Sequence, residues 1–552
     1  MNVNENKNYI LIRALKSIKT IHILLVIFAI IYGVRMYRIH PWYDELYTYY
    51  SFISRGPVYA AIHWPLPNNH VGYSALSACL NWTGSPTIAL RGISYFAAVL
   101  NIYLVYALTR RVLNGGEDDK NIEALGILAA ILYATVNIVH TISVQGRGYS
   151  LSTSCFMMAT LMIMNIANTP DSKSEMLPDE NAKLKRTGAF GLYAISLALG
   201  IYLVPSSTFW VFPVCVVGGV YLLANKKLKE LLQLILASVI AAVVVLGLYT
   251  IIWLAIGSNL LSKTAGSIYY GIYQIDIIKK APINSLKAGI DYMLASPYIQ
   301  SIPRADVING LWNYLEALFT QFYIYLGVPM IIYLAAVCIF CLIRFVKDRT
   351  RFVELFLAVQ IIALPLLMII QCKAPYLRVY TFFGVVVAVS VVWLINLVRI
   401  DQLKYSVISI YVVASLVFML LFTGAYNCTI GEREDHILEA LNSYNTVARE
   451  VKDIDSIFYV DDYQKYVLKF YFDAEPLEEP LEEADYVMLP TDEMTGVWPF
   501  FYTEDGFDRD YVEQCFDEEV KTSYYVIYQR NKVKTLAYKG KNKIKEIIDD
   551  FS

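Results

Sequence analysis

The sequence predicts an all-α polytopic membrane protein carrying a small C-terminal extracytoplasmic α/β domain. Three observations predict it. The 552 residues are 57% hydrophobic and only 17% charged, with a mean hydropathy of +0.46, outside the range of ordinary soluble domains. Apolar runs of about 20 residues, enough to cross a bilayer, recur from residue 21 to residue 425. Beyond residue 425 the composition turns from aliphatic to charged, with recurrent Asp and Glu. The net charge of −2 provides no field that would favour nucleic acid.

The apolar runs divide into about eleven spans, at 21–38, 87–109, 121–141, 149–168, 188–204, 207–224, 231–256, 316–345, 352–371, 376–398 and 405–425. The first lacks a small-residue cleavage site and reads as a retained anchor. Short-loop cations set the orientation. Arg13, Lys16, Arg110, Arg111, Lys226, Lys227, Arg344, Lys347, Arg399 and Lys404 all fall on one side, which predicts a cytoplasmic N-terminus and an extracytoplasmic C-terminus at the cell membrane.

On this reading residues 1–425 form the membrane module, with outer loops 39–86 and 257–315, and residues 426–552 form the outer domain. The second loop carries Lys263, Lys279, Lys280, Lys287 and Arg304. Long loops escape the charge rule, so these read as solvated cations, with a gating loop as the alternative. In the outer domain 437–451 suits an amphipathic helix, and 456–460, 485–489 and 523–529 suit strands. Cys79, Cys155, Cys215, Cys338 and Cys341 lie in or beside apolar runs and read as small core residues. The others, Cys372, Cys428 and Cys515, permit a disulfide without implying one.

Four segments fall at one predicted membrane level on the outer side. The first is His40-Pro-Trp-Tyr-Asp44-Glu45, just after the first span. The second is Pro67-Asn-Asn69-His70-Val71-Gly72. The third is Gln145-Gly-Arg147-Gly-Tyr149-Ser-Leu, and the fourth is Lys373-Ala-Pro-Tyr-Leu-Arg378-Val-Tyr380-Thr. Ionisable groups at a membrane edge are costly and mark function or pairing. Together these suit attack by a hydroxyl on a lipid-linked phosphosugar. A carboxylate can take the acceptor proton or hold a divalent cation. Arginines can fork onto phosphate oxygens, and aromatic rings can line a sugar or polyprenyl path.

These segments resemble the GT-C superfamily of membrane glycosyltransferases, on the branch of protein O-mannosyltransferases and the lipid A aminoarabinose transferase. Asp44-Glu45 matches the acid pair those enzymes carry in the first outer loop. Asn69-His70 resembles their following Asn-His segment, although Val71-Gly72 stands where prolines are usual. Arg147-Gly-Tyr149-Ser-Leu is similar to a segment that opens a later span, and Arg378-Val-Tyr380 is a looser match with one residue inserted. The resemblance covers roughly residues 20–400 and implies a polyprenyl-phosphate-sugar donor, catalysis on the outer face and inversion at the anomeric carbon.

The expected roles are therefore Asp44 as base with Glu45 as its partner or as a metal or acceptor ligand, and Arg147, Arg378, His70 and Lys373 at the donor phosphate. Asn69, Tyr149 and Tyr380 are expected to line the substrate. A divalent cation such as Mg or Mn, if one takes part, would fall to Asp44 and Glu45. Expected partners are the lipid-linked donor, an acceptor glycan, lipid or protein, and membrane lipid.

Plainer readings stand beside these. Asp44 and Glu45 suit the first turn of a juxtamembrane helix. Arg147, Lys373 and Arg378 suit interfacial anchors, and a lone His70 suits a satisfied polar site. The alternative function is a transporter or flippase of a lipid-linked sugar or small solute. Transporters place charge near the midplane within broken spans, whereas here the charges sit at the outer edge.

Overall fold

The computed structural model describes residues 20–63, 69–113, 120–167, 180–295, 299–323, 325–397, 457–459, 466–467, 469–471, 481, 484–491 and 509–550. The chain divides into two compact units. One comprises Met1–Arg38 and Phe52–Cys428, and the other Ile39–Ser51 and Thr429–Ser552. The short segment that bears Asp44 and Glu45 thus groups with the C-terminal residues, a pairing that sequence reasoning did not anticipate.

Along the chain the described helices are α1 (Thr20–Arg38), α2 (Tyr43–Ser51), α3 (Pro57–Ile62), α4 (Val71–Ala78), α5 (Pro86–Val112), α6 (Lys120–Thr135) and α7 (Asn137–Ile142). They continue with α8 (Tyr149–Ala167), α9 (Glu180–Leu203), α10 (Thr208–Ala224), α11 (Leu228–Lys263), α12 (Gln274–Lys280), α13 (Pro282–Ala295) and α14 (Val307–Phe322). Then come α15 (Gly327–Lys347), α16 (Phe352–Gln371), α17 (Phe383–Leu397), α18 (Arg509–Cys515) and α19 (Lys532–Asp550). Among the described residues, 9 helices are long and apolar enough to cross a membrane, and Asn121–Thr135 is a shorter apolar one.

Two expected spans need correction. The run 121–141 is broken at Val136, which leaves the helical region (φ −58, ψ 123) before α7 begins. The run 316–345 is two helices. α14 ends at Phe322 and α15 starts at Gly327, where an added Cβ would lie 2.5 Å from Thr320 Oγ1. α14 is amphipathic, with Ile308 and Trp312 exposed, whereas α15 is apolar up to Arg344. A continuous apolar count conceals that break. The expected span 405–425 and helix 437–451 lie outside the described residues.

Consecutive spans alternate in direction, so the end of α1, the start of α5, the start of α8, the end of α9 and the turn before α17 meet at one end of the membrane unit. Ser154 Oγ donates to Asn101 Oδ1 at 2.6 Å, and Asn101 Nδ2 donates to Ser150 O at 2.8 Å, tying α5 to α8. Trp210 Nε1 donates to Ser152 Oγ at 2.9 Å, tying α10 to α8. Such bonds carry helix association where lipid removes the hydrophobic drive between helices. At the opposite end Arg186 pairs with Glu230, and Arg344 with Glu354 at 3.1 Å. Cys338 and Cys341 are buried free thiols, as a packing role requires.

α11 is 36 residues long, about 54 Å, against a hydrocarbon core of about 30 Å. α13 folds back along its final turns. Here an added Cβ on Gly289 would overlap Trp253 O, and one on Gly257 would overlap Ser285 O. These glycines let the two backbones touch. The short strands β1 (Ile299–Ser301) and β2 (Lys373–Pro375) pair antiparallel, with Ser301 opposite Lys373.

The second unit carries a four-stranded sheet in the order β3-β4-β6-β5, with β3 (Ile457–Tyr459), β4 (Tyr486–Pro490), β5 (Phe516–Lys521) and β6 (Tyr525–Arg530). β3 runs parallel to β4, and the remaining pairs are antiparallel. Val487, Leu489, Val512, Cys515 and Phe516 form its core. Arg530 binds it together, donating from Nε to Ala484 O at 2.7 Å and from Nη2 to Leu481 O at 2.8 Å. α2 packs in this unit through its tyrosines. Tyr50 stacks on Tyr466 at 5.5 Å, Tyr43 and Tyr47 approach the same ring, and His40 Nδ1 bonds Tyr471 Oη. The aromatic density of residues 42–50 is therefore structural in large part.

Candidate active site

The membrane unit gathers four of the sequence-predicted residues. His70 precedes α4, Arg147 lies in the tight loop between α7 and α8, Tyr149 opens α8, and Arg378 lies in the 3-10 turn Leu377–Phe382 that leads into α17. His70 Nδ1 accepts the Gly148 N–H at 3.0 Å, which leaves the ring proton on Nε2. The Tyr149 ring meets the imidazole edge-on at 5.1 Å. Burial is the main cause that holds the His70 pKa well below 6.5, and the charges of Arg147 and Arg378 add to it. His70 is therefore a neutral imidazole. Sequence reasoning grouped it with the phosphate contacts; with Nδ1 occupied, a phosphate could be met only through Nε2–H.

Arg147 is 2% exposed. Its carbonyl accepts from Ser94 Oγ at 3.1 Å, and its N–H donates to Gln145 O at 2.6 Å in a tight turn. The flanking glycines allow the loop to pass between helices. A Cβ on Gly148 would stand 2.6 Å from Val204 Cγ2 and 2.9 Å from Leu203 O, and one on Gly146 would strike the Leu90 side chain. The Gly-Arg-Gly spacing thus threads an arginine into a slot that only a bare backbone can enter.

Arg378 is half-buried, with its guanidinium 4.8 Å from the Tyr376 ring centre. Tyr380 is 1% exposed; its ring packs edge-on to Phe209 and Tyr314, and its hydroxyl has no hydrogen-bond partner among the described residues. Lys373 is positioned by the β1–β2 pairing. Asn69 has a different part. Its amide donates to Ala60 O and His63 O at 3.0 Å each, and its carbonyl accepts from Ser74 Oγ at 2.6 Å. Those bonds occupy the side chain in holding the loop that delivers His70.

Arg91 escaped sequence reasoning. It is buried in the second turn of α5, donates to Met36 O at 3.0 Å, and sits one turn before Ser94, which holds Arg147. An arginine inside an apolar span was the available signal; it was absorbed into the span.

The acid pair lies in the other unit. Glu45 is fully buried, and its Oε2 accepts the Trp42 N–H at 3.4 Å. That is the backward reach of a third-position acid in a capping box. Asp44 stands in the same first turn, is half-buried, and its carbonyl accepts from Thr48 Oγ1 at 2.6 Å. The pair is therefore differentiated, with Glu45 serving the helix start and Asp44 at its partly open flank. No group of three or more His, Cys, Asp or Glu suited to a metal is gathered among the described residues.

No family model matches this chain, and no curated protein matches it. Among solved structures, the chain is similar to the Archaeoglobus fulgidus oligosaccharyltransferase in complex with Zn and sulfate, with a TM-score of 0.48 and 15% identity, covering 92% of this chain and 73% of that one. It is similar also to archaeal oligosaccharyltransferase AglB from Archaeoglobus fulgidus in complex with an inhibitory peptide and a dolichol-phosphate, with a TM-score of 0.45 and 14% identity, covering 93% and 74%. At such scores the likeness carries no residue role to this chain.

Proposed function

We propose that the protein is an inverting glycosyltransferase that moves a sugar from a polyprenyl-phosphate-linked donor to an acceptor hydroxyl on the extracytoplasmic face of the membrane. The observation that carries this reading is the buried Arg147, threaded between two glycines and sharing one electrostatic neighbourhood with Arg378 and a neutral His70. Two guanidiniums at one end of a membrane unit suit a phosphate ester at the bilayer surface, because each presents a planar fork to paired oxygens. Charge that builds on the phosphate as the C1–O bond breaks is stabilised by donors already in place. Tyr149 and Tyr380 supply the aromatic surroundings, and Asn69 acts by holding His70.

Asp44 is the proposed base, taking the proton of the acceptor hydroxyl as that oxygen attacks C1 from the face opposite the departing phosphate. Glu45, committed to the helix start, acts by positioning it. The test is transfer from polyprenyl-phosphate-linked sugars by purified protein in nanodiscs. Asp44→Asn is expected to lower turnover by on the order of 100-fold or more with unchanged donor binding. Arg147→Lys is expected to weaken donor binding. Near-normal transfer by a well-folded Asp44→Asn variant would falsify the base assignment.

A further inference from the structure

α19 (Lys532–Asp550) presents two faces of opposite character. Thr535 is buried, and Tyr538 packs on the core of the C-terminal unit, edge-on to Tyr511 at 5.2 Å. On the other side Val533, Leu536 and Ile544 are 76%, 72% and 60% exposed. With about 100° of rotation per residue, these three and Gly540 form a single stripe. Lys532, Lys539 and Lys543 border it on one edge and Lys541 on the other, where Lys534 is turned to Asp517 in an ion pair at 2.6 Å. After Tyr538 every residue to Ile544 is exposed, so the helix continues past the core that holds its first turns.

Solvated helices do not require an apolar stripe, and between Lys532 and Lys545 no acidic residue offsets the lysines at its margins. Lysines along both margins are what an interfacial helix needs, since the ammonium groups reach headgroups while the stripe enters the acyl boundary. The charge complement is anionic lipid. Affinity need not be high, because this unit includes Ile39–Ser51 and is joined through the Arg38–Ile39 bond to the candidate span α1. A tethered surface needs little affinity of its own.

We propose that α19 docks on an anionic membrane surface, with Val533, Leu536 and Ile544 facing the lipid and Lys532, Lys539, Lys541 and Lys543 at the headgroups. The experiment uses the full chain in nanodiscs of phosphatidylcholine with phosphatidylglycerol. A photoreactive benzoylphenylalanine replaces Leu536, Ile544 or, on the opposite face, Asn542. After irradiation, lipid adducts at 536 and 544 are expected to exceed those at 542 by about fivefold or more, and to fall severalfold in pure phosphatidylcholine or in the triple variant Lys539→Gln, Lys541→Gln, Lys543→Gln. Crosslinks to a second copy or to other parts of the same chain, or equal lipid adducts at all three positions, would overturn the proposal. So would adducts indifferent to both lipid charge and the lysines.

Discussion

Gly148 donates its backbone N–H to Nδ1 of His70 across 78 residues of sequence, at 3.0 Å. The bond pins the loop that carries Arg147. Replacing His70 with Ala leaves a buried donor without an acceptor, at a cost of about 1–3 kcal/mol. Asn offers an acceptor in nearly the same place and is expected to lose less. Unfolding midpoints of the two variants in detergent check the order.

The same imidazole predicts a pH dependence. Burial, then Arg147 and Arg378, depress its folded-state pKa, while an unfolded histidine takes up its proton near about pH 6.5. The unfolded chain therefore binds more protons in the acidic range. The stability contributed by the neutral ring is complete above about pH 6.5 and declines as pH falls below it. The difference in stability between wild type and His70→Asn should shrink as pH falls from about 6.5 to 5. A difference that stays constant over that range would refute the neutral, buried ring.

Gly148→Ala forces a methyl group against Leu203 O and Val204. The expected cost is about 1–3 kcal/mol, together with loss of donor binding as Arg147 is displaced. Gly188→Ala is the control. Nothing lies within 4 Å of its added Cβ, and a helical Gly→Ala change there should be neutral or stabilising by up to about 1 kcal/mol. Thermal unfolding and donor-binding titrations separate the two.

Gly289→Ala places its methyl on Trp253 O and is expected to separate α13 from α11. Hydrogen exchange should accelerate across 282–295 while the α5–α8 contact at Asn101 stays protected. Gly247→Ala, with open space around its Cβ, should leave both regions unchanged.

Glu45→Ala removes the acceptor for Trp42 N–H and should fray the start of α2, at about 1 kcal/mol. Glu45→Gln keeps an acceptor and should be milder, since Gln serves the same capping role. Amide exchange over 43–51 reports the difference.

The spans were legible because a bilayer imposes a length and a composition that few other structures share. Val136 and Tyr323 were not legible as breaks, since both sit within apolar runs. In the C-terminal unit the β4 and β6 segments are short apolar runs, whereas β5 (Phe516–Lys521) is half acidic and gave no such signal. At the site, Arg147 and Arg378 stood out as charges at span ends. The Gly146 and Gly148 slot, the Asn69 bonds and the neutral state of His70 all depend on partners distant in sequence. The grouping of Ile39–Ser51 with Thr429–Ser552, in which rings of the first segment meet Tyr466, Phe470 and Tyr471, is encoded by no local pattern.

That grouping bears on the order of synthesis. The tyrosines of α2 emerge early, yet the rings they stack on emerge far later. At about 5–20 residues per second, the roughly 400 residues between them take some 20–80 s to make. For that interval Asp44 sits on a helix whose aromatic face has no native partner, beside a span that is already inserted. The nascent chain can therefore bring Arg147 and Arg378 together during translation, but it completes the setting of Asp44 only when the last quarter of the chain arrives.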